Sequence, residues 1–194
     1  MSASRMPWPV RASREVYRNP WLRVHEDRIK RPDGSTGTYG VIEVGDAVSI
    51  VALTKNAVCL VRQYRPPWRR KMWEVPCGGI RKGERPLAAA KRELLEEAGI
   101  TARSWRKPAT AGVVRANDPV INTFHVFLAR DLRFGAPRRD ASESDMVFRM
   151  WKWKDFRKAV SSGVITDDMS LACIFKCLLI EGINFDLTPA PSPT

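Results

Sequence analysis

The sequence predicts an α+β sandwich, and three features point to it. One amphipathic, acidic helix is expected over residues 86–98, with short apolar strand-like runs before and after it. A second, strongly apolar helix is expected near the C-terminus, over Asp167 to Glu181. No segment of the chain repeats.

Residues 1–12 carry two prolines and no periodicity, and read as a disordered tail. From Val16 the pattern turns to strands. Arg31-Pro32-Asp33-Gly34-Ser35 is a turn, because proline fixes φ and glycine accepts a positive φ. Residues 13–44 are thus expected as an N-terminal hairpin ahead of a main domain over 45–186. Ala47 to Thr54 and Ala57 to Gln63 are apolar runs separated by Lys55-Asn56, and read as strands buried on at least one face. Tyr64 to Lys71 is a basic loop with RPPWRRK at its centre, and Met72 to Pro76 is a short strand.

In the central helix, Pro86 suits the first turn, where its missing N–H costs nothing. Gly99 suits the position just past the end, where the backbone turns left-handed. Leu87, Ala90, Leu94 and Ala98 recur at three- and four-residue steps and form a core-facing stripe. Strands follow at Gly112–Val114 and Ile121–Ala129, joined irregularly around Asn117-Asp118-Pro119, and a polar loop spans Arg133 to Ser144. Met146 to Lys152 is a strand and Asp155 to Ser161 a helix. The helix over Asp167 to Glu181 is apolar almost all round and is expected to be deeply packed. Residues 187–194, with three prolines, read as a disordered tail.

Thirty-three basic against 21 acidic residues give a formal charge of +12. Such a field attracts nucleotides, nucleic acid or an acidic membrane surface without choosing among them. Cys59, Cys77, Cys173 and Cys177 read as core thiols in a reducing cytosol. His25 and His125 lie far from them in sequence, which argues against a zinc site. With no long apolar span and no leader pattern, a cytoplasmic protein with no membrane partner is expected.

The central helix places Glu93, Glu96 and Glu97 on nearly one face. Carboxylates this close repel unless a cation intervenes. The run is either a solvated acidic face or a site for a hard divalent ion, which prefers oxygen ligands and bridges carboxylates to phosphates.

Gly78, five residues, Glu84, seven residues, then Arg92-Glu93-Leu94-x-Glu96-Glu97-x-Gly99-Ile100 resembles the Nudix hydrolase signature at every fixed position. Leu60-Val61-Arg62-Gln63-Tyr64-Arg65, Trp73-Glu74-Val75-Pro76 and the leading hairpin resemble its ADP-ribose and nucleoside diphosphate sugar branch. The resemblance implies an α/β/α sandwich with a mixed central sheet and an N-terminal β-hairpin that pairs two subunits as a homodimer. It implies hydrolysis of a nucleoside diphosphate linked to another group, with Mg²⁺ as cofactor and Mn²⁺ as its substitute.

By the same resemblance, Glu93, Glu97 and Glu96 ligate metal. Glu84 holds a metal or its water, or orients the helix, while Arg92 anchors acidic neighbours. The backbone carbonyl of Cys77 reaches a metal, and Gly79 lies against substrate. Glu143 falls where the branch has its catalytic base, with a helix glutamate, Glu97, as the alternative catalytic residue. Asp145 falls on a further ligand position, and Arg65 on a phosphate- or ribose-contacting one. Trp21 and Tyr39 are candidates for stacking on a base, or for the core.

ADP-ribose hydrolases usually carry a Ser-Pro-Gly segment and a Glu where this chain has residues 113–122. Here Asn117 and Asn122 stand instead, to read a sugar or base or to shape the loop. The expected substrate is therefore a nucleoside diphosphate sugar or an ADP-ribose-like compound. The alternatives are pyrophosphate removal from nucleoside triphosphates or RNA 5′ ends, and a non-catalytic nucleotide sensor. Nucleic acid is a possible partner but not the favoured one, and no helix-turn-helix or zinc pattern supports a DNA-binding extension to a sensor.

Overall fold

The computed structural model describes residues 8–108, 114–115, 119–139 and 144–182. Chain order runs β1 (Val10–Arg18), β2 (Leu22–Lys30), β3 (Thr36–Val44), β4 (Ala47–Ala52), β5 (Ala57–Arg65), a 3₁₀ turn (Pro66–Trp68), β6 (Arg70–Glu74) and β7 (Cys77–Gly79). Then follow α1 (Pro86–Ala98), β8 (Ile100–Arg106), β9 (Val114–Arg115), β10 (Val120–Ile121), β11 (Thr123–Phe134), β12 (Val147–Lys152), α2 (Trp153–Ser161) and α3 (Asp168–Ile180). No helix among the described residues is long and apolar enough to cross a membrane.

The chain divides into two compact units. The first holds residues 1–46 and 115–123. Its strands are ordered β1-β2-β3-β10, antiparallel except for the parallel β3–β10 pair. The expected hairpin is β2–β3, turning where Gly34 takes φ +85°. β1 adds a third strand that begins at Val10, within the stretch expected as a tail. Every β1 residue is exposed, so it lacks the apolar alternation that marks a strand in sequence; backbone pairing to β2 defines it.

The second unit holds residues 47–114 and 124–194. One sheet has the order β7-β4-β11-β8, with β4 and β11 parallel; the other has the order β12-β5-β6. Both faces of β4 and β5 are covered. Val51, Leu53, Val58 and Leu60 join Phe156, Ala159, Cys173, Ile174 and Cys177 of α2 and α3 in one apolar cluster. Val48, Ile50, Ala52, Cys59 and Val61 join Ala89, Ala90, Leu94 and Ala98 of α1 in another. Burial on two sides explains why β4 and β5 read as continuous apolar runs instead of alternating ones. This is the α/β/α sandwich, with the acidic helix as one outer layer.

α3 departs from expectation. Its inner side is buried, but Phe175, Leu179 and Ile180 are 51%, 64% and 43% exposed. A helix apolar all round still lays only one side on a sheet. The tail residues 187–194 lie outside the described residues.

Candidate active site

α1 begins and ends where its punctuation dictates. Pro86 occupies the first turn, and Gly99 caps the end at φ +67°, its N–H donating to the Leu95 carbonyl at 3.0 Å. Ala90, Leu94 and Ala98 of the expected stripe are fully buried; Leu87 is 37% exposed and Ala89 is buried in its place. β7 pairs antiparallel with the start of β4, Ser49 opposite Cys77 and Val48 opposite Gly78. Helix and strand together bury two of the acids: Glu93 is 7% exposed and Glu97 1%.

The backbone of β7 meets both carboxylates. The Cys77 N–H donates to Glu97 Oε2 at 3.1 Å. A Cβ at Gly78 would overlap the Glu93 carboxyl, so glycine is the residue that lets that side chain lie against the strand.

Arg92 ties the remaining acids into one cluster. Its Nε and Nη2 donate to Glu84 Oε1 and Oε2 at 2.9 and 2.8 Å, and Nη1 donates to Glu93 Oε1 and to Glu96 Oε2 at 3.0 Å. Nη2 also donates to the Gly79 carbonyl at 3.0 Å. Arg81 adds a longer contact to Glu96, 3.6 Å. The guanidinium holds the Glu84 carboxyl down to about 2. Glu93 moves the other way: burial raises it, and the bond to Arg92 offsets only part of that.

A second arginine stands at the other end of β7. Arg65, closing β5, donates from Nε to Glu74 Oε1 at 2.9 Å and from Nη2 to Glu74 Oε2. Glu74 on β6 is 6% exposed, and Arg65 Nη2 lies 4.0 Å from Cys77 Sγ. Sequence reasoning named Glu74 only as part of the family flank. What makes it a site residue is register: Val61 faces Glu74 and Arg65 faces Arg70 across the hairpin, which puts Arg65 and Glu74 on one side. Burial pushes the Cys77 thiol well up.

The residues fit a hard divalent cation. Their chemistry is that of hard oxygen ligands: two buried carboxylates from one helix face and a third half-exposed beside them. As they stand, with Arg92 and the Cys77 N–H as partners, no three acidic, histidine or cysteine side chains among the described residues are arranged to hold a metal ion. Burying such charges without a counter-ion is costly, and one guanidinium serves Glu93 and Glu96 together with Glu84.

Asp145 is exposed and pairs with Lys71 at 2.8 Å. In the N-terminal unit, Trp21 is 77% exposed and Tyr39 half-buried. Asn122 is buried, its amide donating to the Gly45 carbonyl at 3.1 Å. Asn117 and Glu143 lie outside the described residues.

Comparison with known proteins agrees with this geometry. Residues 44–167 match the NUDIX domain family, and residues 8–42 match the nucleoside diphosphate sugar hydrolase N-terminal domain. The chain is 30% identical over 164 residues to an ADP-ribose pyrophosphatase of Mycobacterium tuberculosis, spanning 83% of this chain and 78% of that one. It is 30% identical over 139 residues to an ADP-ribose pyrophosphatase of Bacillus subtilis, spanning 70% and 73%. A crystal structure of an ADP compounds hydrolase superposes with a TM-score of 0.78 at 18% identity, covering 93% of this chain and 99% of that one, which speaks to the fold. The chain belongs to the NUDIX family of hydrolases, whose members generally use divalent metal ions, and within it to the ADP-ribose and nucleoside diphosphate sugar branch.

Proposed function

We propose that this protein hydrolyses the pyrophosphate linkage of a nucleoside diphosphate sugar or an ADP-ribose-like substrate, releasing a nucleoside monophosphate and a sugar phosphate. The observation that carries the reading is the burial of Glu93 and Glu97 against the backbone of β7. A solvated acidic face does not bury two carboxylates. The names of the M. tuberculosis and B. subtilis relatives, and the match of residues 8–42, support the substrate class.

Glu93, Glu96, Glu97 and the Cys77 carbonyl would hold Mg²⁺, or Mn²⁺ in its place, with Glu84 and Asp145 as further ligands. Bound there, the ion neutralises the diphosphate and lowers the pKa of a water. The chain's own residues do the rest. Arg92 holds three carboxylates in place before substrate arrives, so less reorganisation remains for the reaction. Arg65, fixed in orientation by Glu74, contacts phosphate or ribose, and Gly79 lets substrate approach the strand. Glu143 takes the proton of the attacking water. Asn117, Asn122, Trp21 and Tyr39 contact the sugar and base, with the N-terminal unit of a second copy completing the site in a cytoplasmic homodimer.

The test is turnover with Mg²⁺ of ADP-ribose, other nucleoside diphosphate sugars, dinucleotides, nucleoside triphosphates and 5′-triphosphorylated RNA. Cleavage of the sugar-linked diphosphates to monophosphate products is expected. Hydrolysis of triphosphates alone would overturn the substrate assignment, and no turnover of any compound would favour a sensor.

A further inference from the structure

The hydrolytic site uses one side of the β5–β6 hairpin, and its other side carries a different chemistry. Alternation along β5 puts Val58, Leu60, Arg62 and Tyr64 on one face, and register places Trp73 opposite Arg62 and Lys71 opposite Tyr64. On the neighbouring strand, Trp151 faces Val58, Arg149 faces Leu60 and Val147 faces Arg62. The face starts in the core with Val58, Leu60 and Trp151 and emerges into solvent at Arg62, Tyr64, Lys71, Val147 and Arg149.

Two guanidiniums flank an indole pair there. Trp73 and Trp151 meet edge to face with centroids 5.1 Å apart; Arg62 lies 5.8 Å over Trp73 and Arg149 4.2 Å over Trp151. Packing on the rings orders both arginines while leaving their donor edges to solvent. The hairpin tip extends the surface with Trp68, 65% exposed, and with Arg69, held at φ +52° after two prolines. Asp145 neutralises Lys71, and Arg70 donates to Thr166 Oγ1. Arg62, Arg69 and Arg149 have no carboxylate partner among the described residues. Pre-ordered arginines beside exposed aromatic rings are the combination that grips a flexible phosphate backbone and stacks its bases. Glu93 and Glu97 lie on the opposite side of β5, toward α1, and the charge of +12 favours a polyanion on this face.

We propose that the exposed face formed by Arg62, Tyr64, Arg149 and the Trp68-Arg69 tip of the β5–β6 hairpin is a second, non-catalytic site that binds single-stranded nucleic acid without sequence preference.

The test is fluorescence anisotropy of a labelled oligouridylate of about 15 nucleotides, titrated with full-length protein at several salt concentrations. Saturable binding is expected, with log Kd rising linearly with log salt. Arg62→Gln with Arg149→Gln should lower that slope by about 1.4, two contacts at about 0.7 each for a single strand. Trp68→Ala should weaken binding about tenfold with the slope unchanged. Arg69→Gly removes a charge at a positive φ that glycine accepts, so it keeps the question open to test should the arginine pair destabilise the fold. Its expected slope change is about 0.7. Hydrolysis of a nucleoside diphosphate sugar should be unaffected in all these variants, and saturating ADP-ribose should leave the anisotropy signal in place. The inference is overturned if the oligonucleotide does not bind at low salt, if ADP-ribose displaces it, or if the slope survives the arginine changes. Binding of phosphatidylserine vesicles with no oligonucleotide binding would also overturn it, and would mark the face as a membrane contact.

Discussion

Arg92→Met removes a cation that touches three carboxylates while keeping most of the side chain's aliphatic bulk. The Arg92 side chain is 16% exposed and that of Glu93 9%, so the change leaves a buried carboxylate without its guanidinium. Breaking a buried pair from one side costs about 3–5 kcal/mol. Glu84 and Glu96 are more solvated, which favours the lower end. For a chain of this size about 3 kcal/mol lowers Tm by about 6–12 °C. The assay is thermal unfolding in EDTA, so that no metal replaces the missing charge. The pH dependence gives the loss a signature. Burial already holds Glu93 above its ordinary value with Arg92 present, and without Arg92 it rises further. A group whose pKa is raised on folding stabilises fully below its unfolded pKa and loses that contribution as pH rises through its folded pKa. The variant's deficit should therefore grow between about pH 5 and about pH 7. Glu84, held down to about 2, titrates below that window. A Tm loss under about 2 °C, or one equal at both pH values, would refute the picture of Arg92 as the counter-charge of a buried acid.

Glu97→Gln keeps an acceptor for the Cys77 N–H and removes a charge proposed to bind metal; metal-free Tm should stay near wild type while kcat falls by at least about 100-fold. Near-normal turnover would exclude Glu97 from the metal site. Gly99→Ala forces a side chain onto a backbone at φ +67° and into the Gly135 carbonyl. It should cost about 2–3 kcal/mol, read as a Tm fall of about 4–12 °C. Glu74→Gln loosens Arg65 without removing it. KM for the diphosphate substrate should rise several-fold with a smaller change in kcat, and adding Arg65→Ala should worsen it little, because the two act through one contact. Full additivity in that double-mutant cycle would separate them.

Much of this was legible in the chain because its determinants are local. Pro86 and Gly99 bound α1, since one lacks an N–H and the other accepts a left-handed backbone. The apolar runs of β4 and β5 announced burial, and the acid spacing announced the cluster. What sequence reasoning missed depends on register and layering. The Arg65–Glu74 pair forms because β5 and β6 close with Val61 opposite Glu74, a relation that spans a turn. The parallel pairing of β4 with β11 joins segments more than 70 residues apart. β1 has no buried residue to betray it, and the open side of α3 reflects how little of a helix one sheet covers.

The β5–β6 hairpin constrains how the gene can vary in length. Odd positions of β5 turn toward α1 and carry Arg65; even positions turn away and carry Arg62 and Tyr64. A single-residue insertion or deletion between Val58 and Tyr64 would exchange the two sides, sending Arg65 outward and setting apolar side chains in solvent. Homologous chains should therefore keep β5 and β6 at fixed length and place their length differences outside these two strands.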